Sequence, residues 1–377
     1  MKCYGRAALS DFLGDQIVFR NLIPCDHRLP ELAELRRTLN FPPNFLPRKS
    51  MPEYGRVLSE IVRAARRLTL PKGAIQRVIY VGDTRMNDGQ AFLNICRAGS
   101  WQGMAFIGSD RPHPLKVELE QQGQQTLYIA TRWKAIEQFD SYLSDNHFSV
   151  DEHTAILFDL DKTLLGGRGR NDRVIDAKRL SAAEDTLREA LDQDYNPALF
   201  QEAYHALNQA EFHPFTADNQ DYLVYICLII SSGLVTLPDL ITAVRAGKHP
   251  QFQDFLNFVE ERAGALPHQV RDIHDGVISR VQSGDPTPFK TFRHNEFKHT
   301  VEHMGHLADT HPVEQLLAEE IVVTAEIYHL AGHWKEQGAL LFGLSDKPDE
   351  ATLPGQELRD QGYLPVHKVA THVIGEE

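Results

Sequence analysis

Cysteine is scarce in this chain of 377 residues, and no two cysteines lie close together in the sequence. The four that occur form no CxxC pair and have no zinc-binding spacing: Cys3, Cys25, Cys96 and Cys227. The pattern therefore provides no zinc site and is typical of a protein in a reducing compartment.

Long apolar runs and an excess of positive charge are also missing. Residues 1–6 lead into Asp11 and Asp15 without the apolar core of a signal peptide. The most apolar segment, residues 222–230, is too short to span a bilayer and is expected to form the buried face of a core helix. A net charge of −13 disfavours non-specific binding to nucleic acid, because the phosphate backbone is also negatively charged. We expect a soluble, cytoplasmic protein that binds neither nucleic acid nor membrane.

Short apolar runs alternate with helical patterns over much of the chain, whose length suggests about two or three domains. The runs predict strands at residues 77–81, 104–108, 156–160 and 339–344, with weaker candidates at 127–130 and 366–374. Helical periodicity occurs at residues 52–68, 89–98, 133–143 and 312–336. This alternation predicts an α/β fold with a doubly wound, mostly parallel sheet.

Residues 171–309 have a different character, because they are rich in helix formers and contain no comparable strand run. We expect an all-helical insertion here, with the α/β core divided between residues 1–165 and 310–377. The glycines of segment 166–170 predict a flexible joint leading into the insertion. His299, His303 and His306 are spaced for one face of a helix, but we assign them no metal role.

Two carboxylates, Asp159 and Asp161, follow the apolar run at residues 156–158 and precede Thr163. Such a run indicates a buried strand, so both acids are expected at its carboxyl end, where ligands bind in parallel sheets. Side chains alternate along a strand, so the two acids are expected to do different jobs. One can attack a substrate or hold a metal, while the other moves protons.

A second acid-ended strand runs through Gly82 to Asp83, with Asp88 further on. Alternatively, these acids could serve only to stabilise the N-terminus of a following helix. That would not explain why a second strand in the chain also ends in acids. A third strand ends at Ser345. Lys347 follows two residues after Ser345, and Lys49 lies just before a predicted helix, where by itself it is expected to be a solvated surface residue.

Together these residues resemble the haloacid dehalogenase superfamily of phosphatases. The nucleophile motif DxDxT matches residues 159–163, and the metal motif GDxxxD matches residues 82–88 with one extra residue before the second acid. The family's hydroxyl motif matches Ser345, and its lysine motif matches Lys49 better than Lys347. The resemblance covers roughly residues 40–165 and 339–350, and does not extend to the helical insertion.

The order of these motifs departs from the family pattern. The family runs nucleophile, hydroxyl, lysine, metal acid, whereas this chain runs Lys49, Asp83, Asp159, Ser345. This is the same cycle cut at another point, which predicts a circular permutant. Fusion of two incomplete copies of the fold, or pooling of motifs between two subunits, remain alternatives.

The resemblance implies a reaction and a role for each residue. Asp159 would attack phosphorus to give an aspartyl-phosphate, and Asp161 would act as acid and then base. Ser345 and Lys49 would hold the phosphoryl group. Mg²⁺ would be held by Asp159, Asp83 and the Asp161 carbonyl, with Asp88 orienting the lysine or a metal-bound water. Thr163 would shape the loop after the acids.

The sequence thus predicts a Mg²⁺-dependent phosphatase acting on a small phosphorylated metabolite, with the helical insertion as a cap that closes over the site and sets specificity. Arg168 and Arg170, beside the predicted joint, could reach a substrate anion or be solvated loop residues. A phosphomutase or phosphotransferase would use the same residues, whereas a dehalogenase would leave Asp161 and Asp83 without a role. A non-catalytic binding protein on the same fold is the alternative from another class, disfavoured because nucleophile and acid are both intact.

Overall fold

A computed structural model describes residues 1–377 as an α/β protein with ten strands and sixteen α-helices. The strands are β1 Lys2–Ala7, β2 Ile17–Val18, β3 Arg77–Gly82, β4 Gln102–Gly108, β5 Val117–Gln122, β6 Gln125–Ala130, β7 Thr154–Asp159, β8 Val323–Thr324, β9 Leu340–Leu344 and β10 Thr371–Gly375. The first eight helices are α1 Ser10–Leu13, α2 Leu32–Leu39, α3 Pro52–Thr69, α4 Gln90–Gly99, α5 Ile136–Asp145, α6 Asp172–Leu191, α7 Pro197–Leu207 and α8 His213–Thr216. The others are α9 Gln220–Ser231, α10 Leu237–Arg245, α11 Phe252–Glu260, α12 His268–Gln282, α13 Lys290–Glu302, α14 Val313–Glu319, α15 Ala325–Glu336 and α16 Gln356–Asp360.

Seven strands form one large sheet in the order β2-β9-β7-β3-β4-β6-β5. All neighbouring pairs are parallel except β5 with β6, which form an antiparallel hairpin at one edge. Every residue of β7 is buried, because strands in the middle of a parallel sheet are covered on both faces. The mostly parallel α/β sheet expected from the sequence is therefore confirmed.

Helices cover both faces of this sheet. On one face, Tyr80 of β3 and Leu157 of β7 belong to an apolar cluster that includes α2, α3 and α4. On the other face, Phe158 of β7 packs against Phe12 of α1 and Trp334 of α15. Successive residues of β7 thus face different helical layers, as the pleat of a strand requires.

The strand order of the large sheet matches a common pattern when its strands are renumbered from β7, passing from the C-terminus of the chain to its N-terminus. Numbered this way, β7, β9, β2, β3 and β4 become strands 1 to 5, and their order in the sheet is 3-2-1-4-5. This is the common order of doubly wound sheets. The chain ends lie together, because β1 pairs with β10 and Lys2 lies opposite Gly375.

The second sheet is small and has the order β1-β10-β8. Its strand β8 interrupts the region predicted as one helix over residues 312–336, so that prediction is wrong. The chain instead forms α14, then β8, then α15. The weak strand candidate at 366–374 is also shorter than expected, since only Thr371–Gly375 is extended. The N-terminal region contributes to both sheets through β1 and β2.

The chain divides into two compact units, one formed by Met1–Ala177 with Thr300–Glu377 and the other by Lys178–His299. The second unit is all-helical and narrower than the segment 171–309 marked out by composition. The apolar stretch at residues 222–230 lies in α9 at the centre of this unit, with residues 223–230 all buried.

Helix α13 ends at Glu302, so His303 and His306 do not continue its face as the spacing suggested. No helix of the structure is both long and apolar enough to cross a membrane.

The pairing of β1 with β10 leads to a prediction about chain connectivity. Joining Glu377 to Met1 by a short Gly/Ser linker and opening the chain between Asn146 and His147, an exposed turn after α5, should leave both sheets intact. We expect an unchanged far-UV circular dichroism spectrum and one cooperative unfolding transition. A control permutant opened between Ala105 and Phe106, inside buried β4, should not fold. If the permutant opened between Asn146 and His147 does not fold, the prediction is contradicted, whatever the control does.

Candidate active site

The chemistry-bearing side chains meet at the carboxyl edge of the large sheet, where β7 and β3 lie side by side. The Lys49 ammonium lies 2.5 Å from Asp159 Oδ1 and 2.7 Å from Asp88 Oδ1. All three side chains are at most 7% exposed. Asp159 is two residues beyond Leu157, so it lies on the sheet face covered by α3, and Lys49 enters from the segment just before α3.

Asp88 is held by donors on both of its oxygens. Besides Lys49, the Tyr80 hydroxyl donates to Asp88 Oδ1 at 3.1 Å. The backbone N–H groups of Asp83 and Thr84 and the Thr84 hydroxyl donate to Asp88 Oδ2 at 2.9–3.1 Å. A carboxylate with this many donors is fixed in orientation, so Asp88 positions both Lys49 and the loop that carries Asp83.

The turn between Asp83 and Asp88 contains one residue more than the GDxxxD pattern that this segment resembles. Residues Arg85–Gly89 form a single wide π-helical turn, in which Gly89 N donates to the Thr84 carbonyl five residues earlier. One additional residue per turn is what such a bulge accommodates. Gly82 is required by close packing, because a Cβ there would lie 2.6 Å from Asp88 Cβ.

A tight turn after β7 separates the two acids of the nucleophile motif. Leu165 N donates to the Leu160 carbonyl, and Lys162 takes a left-handed conformation with φ of 65°. Asp159 is thereby left buried at the strand end, whereas Asp161 lies on the turn and is partly exposed. Thr163 is buried and donates to Asp159 Oδ2 at 2.9 Å, so it orients that carboxylate directly, in addition to its position in the loop.

Ser345 follows β9, the strand on the other side of β7, and it is buried. Its hydroxyl accepts a hydrogen bond from Lys347 N at 3.0 Å. The Lys347 side chain donates to Thr300 Oγ1 at 3.0 Å. The other candidate lysine, Lys49, contacts the carboxylates of Asp88 and Asp159.

Both arginines of segment 166–170 form ion pairs, and the Arg168 side chain is partly exposed whereas that of Arg170 is buried. Arg170 is 1% exposed and forms ion pairs with Asp110 at 2.8 Å and Glu326 at 2.7 Å. The Arg168 guanidinium forms an ion pair with Asp83. Gly169 adopts φ of +79°, and a Cβ there would lie 1.7 Å from the Asp110 carbonyl oxygen, so the segment is closely packed. The predicted flexible joint is thus wrong.

The three carboxylates respond differently to burial. Burial raises the pKa of Asp159 well above its ordinary value, and the Lys49 ammonium offsets this only in part. Burial and the nearby Asp88 charge raise the pKa of Asp83 to about 7, against the opposing effect of Arg168. Burial would also raise the pKa of Asp88, but Lys49 and the hydrogen-bond donors keep it below its ordinary range. The cluster is therefore short of positive charge.

This shortage fits a divalent cation. Carboxylate oxygens of Asp83, Asp88 and Asp159 all lie within 4.8 Å of one another. A set of hard oxygen donors with one or two available carboxylates matches the preference of Mg²⁺. The Asp161 carboxylate does not belong to this close group. The contribution predicted for Asp161 is that of its backbone carbonyl, and it stays a prediction.

A cleft of about 230 Å³ opens beside Asp83, at the carboxyl ends of β4 and β6. Its polar lining includes Arg85, Ser109, Arg111 and Glu120. Crevices at this edge of a parallel sheet are where ligands bind.

Three residues of the site were not found from the sequence. Tyr80 lies in an apolar strand, and the sequence predicted it only as a core residue. It pairs with Leu157 of β7 and therefore lies on the same sheet face as Asp159. Its ring also lies 5.9 Å from the Lys49 ammonium. Thr84 follows Asp83 directly and was given no role of its own. Arg168 was considered as a ligand for a substrate anion, and nothing in the local sequence indicates its pairing with Asp83.

Comparison of the chain with protein-family profiles, with curated protein sequences and with solved structures finds no match in any of the three.

The raised pKa of Asp83 predicts a pH-dependent effect of Asp83→Asn in metal-free protein. Its folded-state pKa of about 7 exceeds the ordinary 3.8, so wild-type stability is lost as the pH rises through this window. Asn cannot ionise, so the free energy of unfolding of the variant should rise relative to that of wild type by roughly 2–3 kcal/mol between pH 5 and pH 8. Urea unfolding with EDTA at both pH values measures this.

Asp151→Asn is the matched control, because Arg77 and local hydrogen bonds lower the pKa of Asp151 and it stays ionised at both pH values. The difference between its free energy of unfolding and that of wild type should be the same at pH 5 and pH 8. An equally constant offset for Asp83→Asn would contradict the prediction.

Proposed function

We propose that this chain is a Mg²⁺-dependent phosphatase that hydrolyses a small phosphorylated metabolite through an aspartyl-phosphate on Asp159. The observation that carries the proposal is the meeting of Lys49, Asp83 and Asp159 at the carboxyl ends of β7 and β3. In the 3-2-1-4-5 order, these are the two strands between which the strand sequence changes direction. Ligands of doubly wound sheets bind in the crevice at this switch point.

The topology also supports the resemblance to the haloacid dehalogenase superfamily and the hypothesis of circular permutation. All the motif residues belong to one compact unit of one chain, and Lys49 contacts Asp159 directly across 110 residues of sequence. Paired terminal strands supply the point at which an uncut chain would have been continuous. These features favour a permuted single chain over fused half-copies or motifs pooled between subunits.

In the proposed reaction, Asp159 attacks phosphorus and the alcohol leaves, which divides one difficult displacement into two steps. Thr163 holds one oxygen of Asp159, so the other is directed toward Lys49 and the substrate. Asp161, on the partly exposed turn, donates a proton to the leaving oxygen and later takes one from the hydrolytic water. Ser345 and Lys49 donate to the phosphoryl oxygens.

Mg²⁺ bound by Asp159 and Asp83 would neutralise charge on the phosphate dianion and allow an anionic nucleophile to approach it. Burial holds Asp159 toward its protonated form, so added positive charge at this point also favours the reactive carboxylate.

Substrate selection would come from two places in this proposal. The small cleft beside Asp83 suits a leaving group of modest size, with arginine and glutamate side chains on its walls. The helical unit, Lys178–His299, would act as the cap that the resemblance implies. Both features favour a small phosphorylated metabolite over a polymer.

The nucleophile and the acid predict different kinetic defects. Asp159→Asn should abolish Mg²⁺-dependent hydrolysis of p-nitrophenyl phosphate. Asp161→Asn should lower steady-state turnover by roughly 10²–10⁴-fold, because hydrolysis of the intermediate loses its base. Since p-nitrophenolate leaves without help, Asp161→Asn should still release about one equivalent per site in a rapid burst. Stopped-flow absorbance measures both quantities.

Several outcomes separate the alternatives. Full turnover in Asp159→Asn would exclude this nucleophile. More nitrophenol than phosphate when alcohols are added would indicate a phosphotransferase or mutase. A wild-type protein that binds phosphate analogues with Mg²⁺ but turns over no phosphomonoester would indicate a binding protein.

The two lysines should respond differently to the same replacement. Lys49→Met removes the ammonium between Asp159 and Asp88 and should lower kcat/KM by roughly 10²–10³-fold. Lys347→Met removes a side chain that donates to Thr300, and its effect should be much smaller. Circular dichroism checks that both variants are folded, and a larger loss in Lys347→Met would contradict the assignment.

A further inference from the structure

Arg168 is placed against Asp83 by its backbone as well as by its charge. Its N–H donates to the Lys162 carbonyl at 2.8 Å, and its carbonyl accepts from Asp110 N at 2.8 Å and from Trp133 Nε1 at 3.2 Å. Trp133 is fully buried. The guanidinium therefore projects from a fixed turn toward Asp83.

The next residues hold this turn from the other side. Gly169 N donates to Asp172 Oδ1 at 2.9 Å, and Arg170 is buried between Asp110 and Glu326. The Arg168 side chain itself is 39% exposed, whereas Asp83 is only 6% exposed. One end of the ion pair is thus free to move into solvent while the other stays in the carboxylate cluster.

We propose that Arg168 is the resident cation of Asp83 and competes with the divalent cation for that carboxylate, so that metal binding releases the guanidinium. This inference rests on the proposed function, because it concerns the same carboxylate cluster. Arg168 is a positioning residue in this role, since it acts through Asp83.

The charges of the cluster support competition. Asp83, Asp88 and Asp159 carry three negative charges at most, Lys49 supplies one positive charge between two of them, and Arg168 supplies the second. A guanidinium on Asp83 weakens the attraction of that carboxylate for any other cation. Once a divalent cation has neutralised Asp83, the partly exposed guanidinium gains more from water or from a substrate anion.

The test is binding of Mn²⁺ as a probe for the divalent site, measured by electron paramagnetic resonance without substrate. Arg168→Gln should bind Mn²⁺ about tenfold or more tightly than wild type, because a charge-assisted competitor is lost. Arg168→Lys should lie between the two. Arg85→Gln is the matched control: it removes an arginine that pairs with Glu120 on the wall of the same cleft, and it should change Mn²⁺ affinity far less.

A second readout follows the ion pair itself. The Arg168 Nε–H signal, identified by its loss in Arg168→Gln, should be protected from solvent exchange in metal-free protein and lose protection on saturation with Mg²⁺. Equal Mn²⁺ affinity in wild type and Arg168→Gln, or an Nε–H that stays protected, would overturn the competition and leave the proposed phosphatase standing. No Mn²⁺ binding by either protein would overturn the metal-dependent function as well.

Discussion

The buried ammonium of Lys49 is the interaction on which the rest of the site depends. It joins Asp88, from the loop after β3, to Asp159, at the end of β7, and it comes from a third segment before α3. Burying these charges is costly, and the cost is offset only while all partners are in place. The packing of α3 on the sheet, the π-helical turn and the bond from Thr163 all serve to keep those partners within hydrogen-bonding distance.

The proposed circular permutation would change the connectivity of the chain and keep this interaction. The proposed chemistry requires that β9, β7 and β3 lie side by side with their carboxyl ends at one edge, and the sheet has this order. Where the chain is cut does not matter to that requirement, provided the cut lies away from the edge. Here the ends fall in a separate small sheet, in which β1 and β10 pair.

Much of this arrangement is predictable from local sequence, and the exceptions have physical causes. β7 and β3 could be predicted because each is a buried, apolar strand whose site residue follows directly in the sequence. The polar edge strand β5 was missed, since a solvated strand has no apolar run. Residues 313–336 keep helical periodicity across β8, so pattern alone could not find the break. The glycines of segment 166–170 were interpreted as a flexible joint, whereas Gly169 permits close packing against the backbone of residue 110. Long-range ion pairs of this kind leave no local signal.

The position of β7 in the sheet has a consequence for synthesis on the ribosome. One neighbour, β3, is made before β7, but the other, β9, follows about 185 residues later along the chain. At ordinary elongation rates this is a delay of about 10–40 s. During that time one edge of a buried, mostly apolar strand lacks its native partner. An unpaired apolar edge of this kind can pair with other chains, so the delay exposes the nascent chain to aggregation.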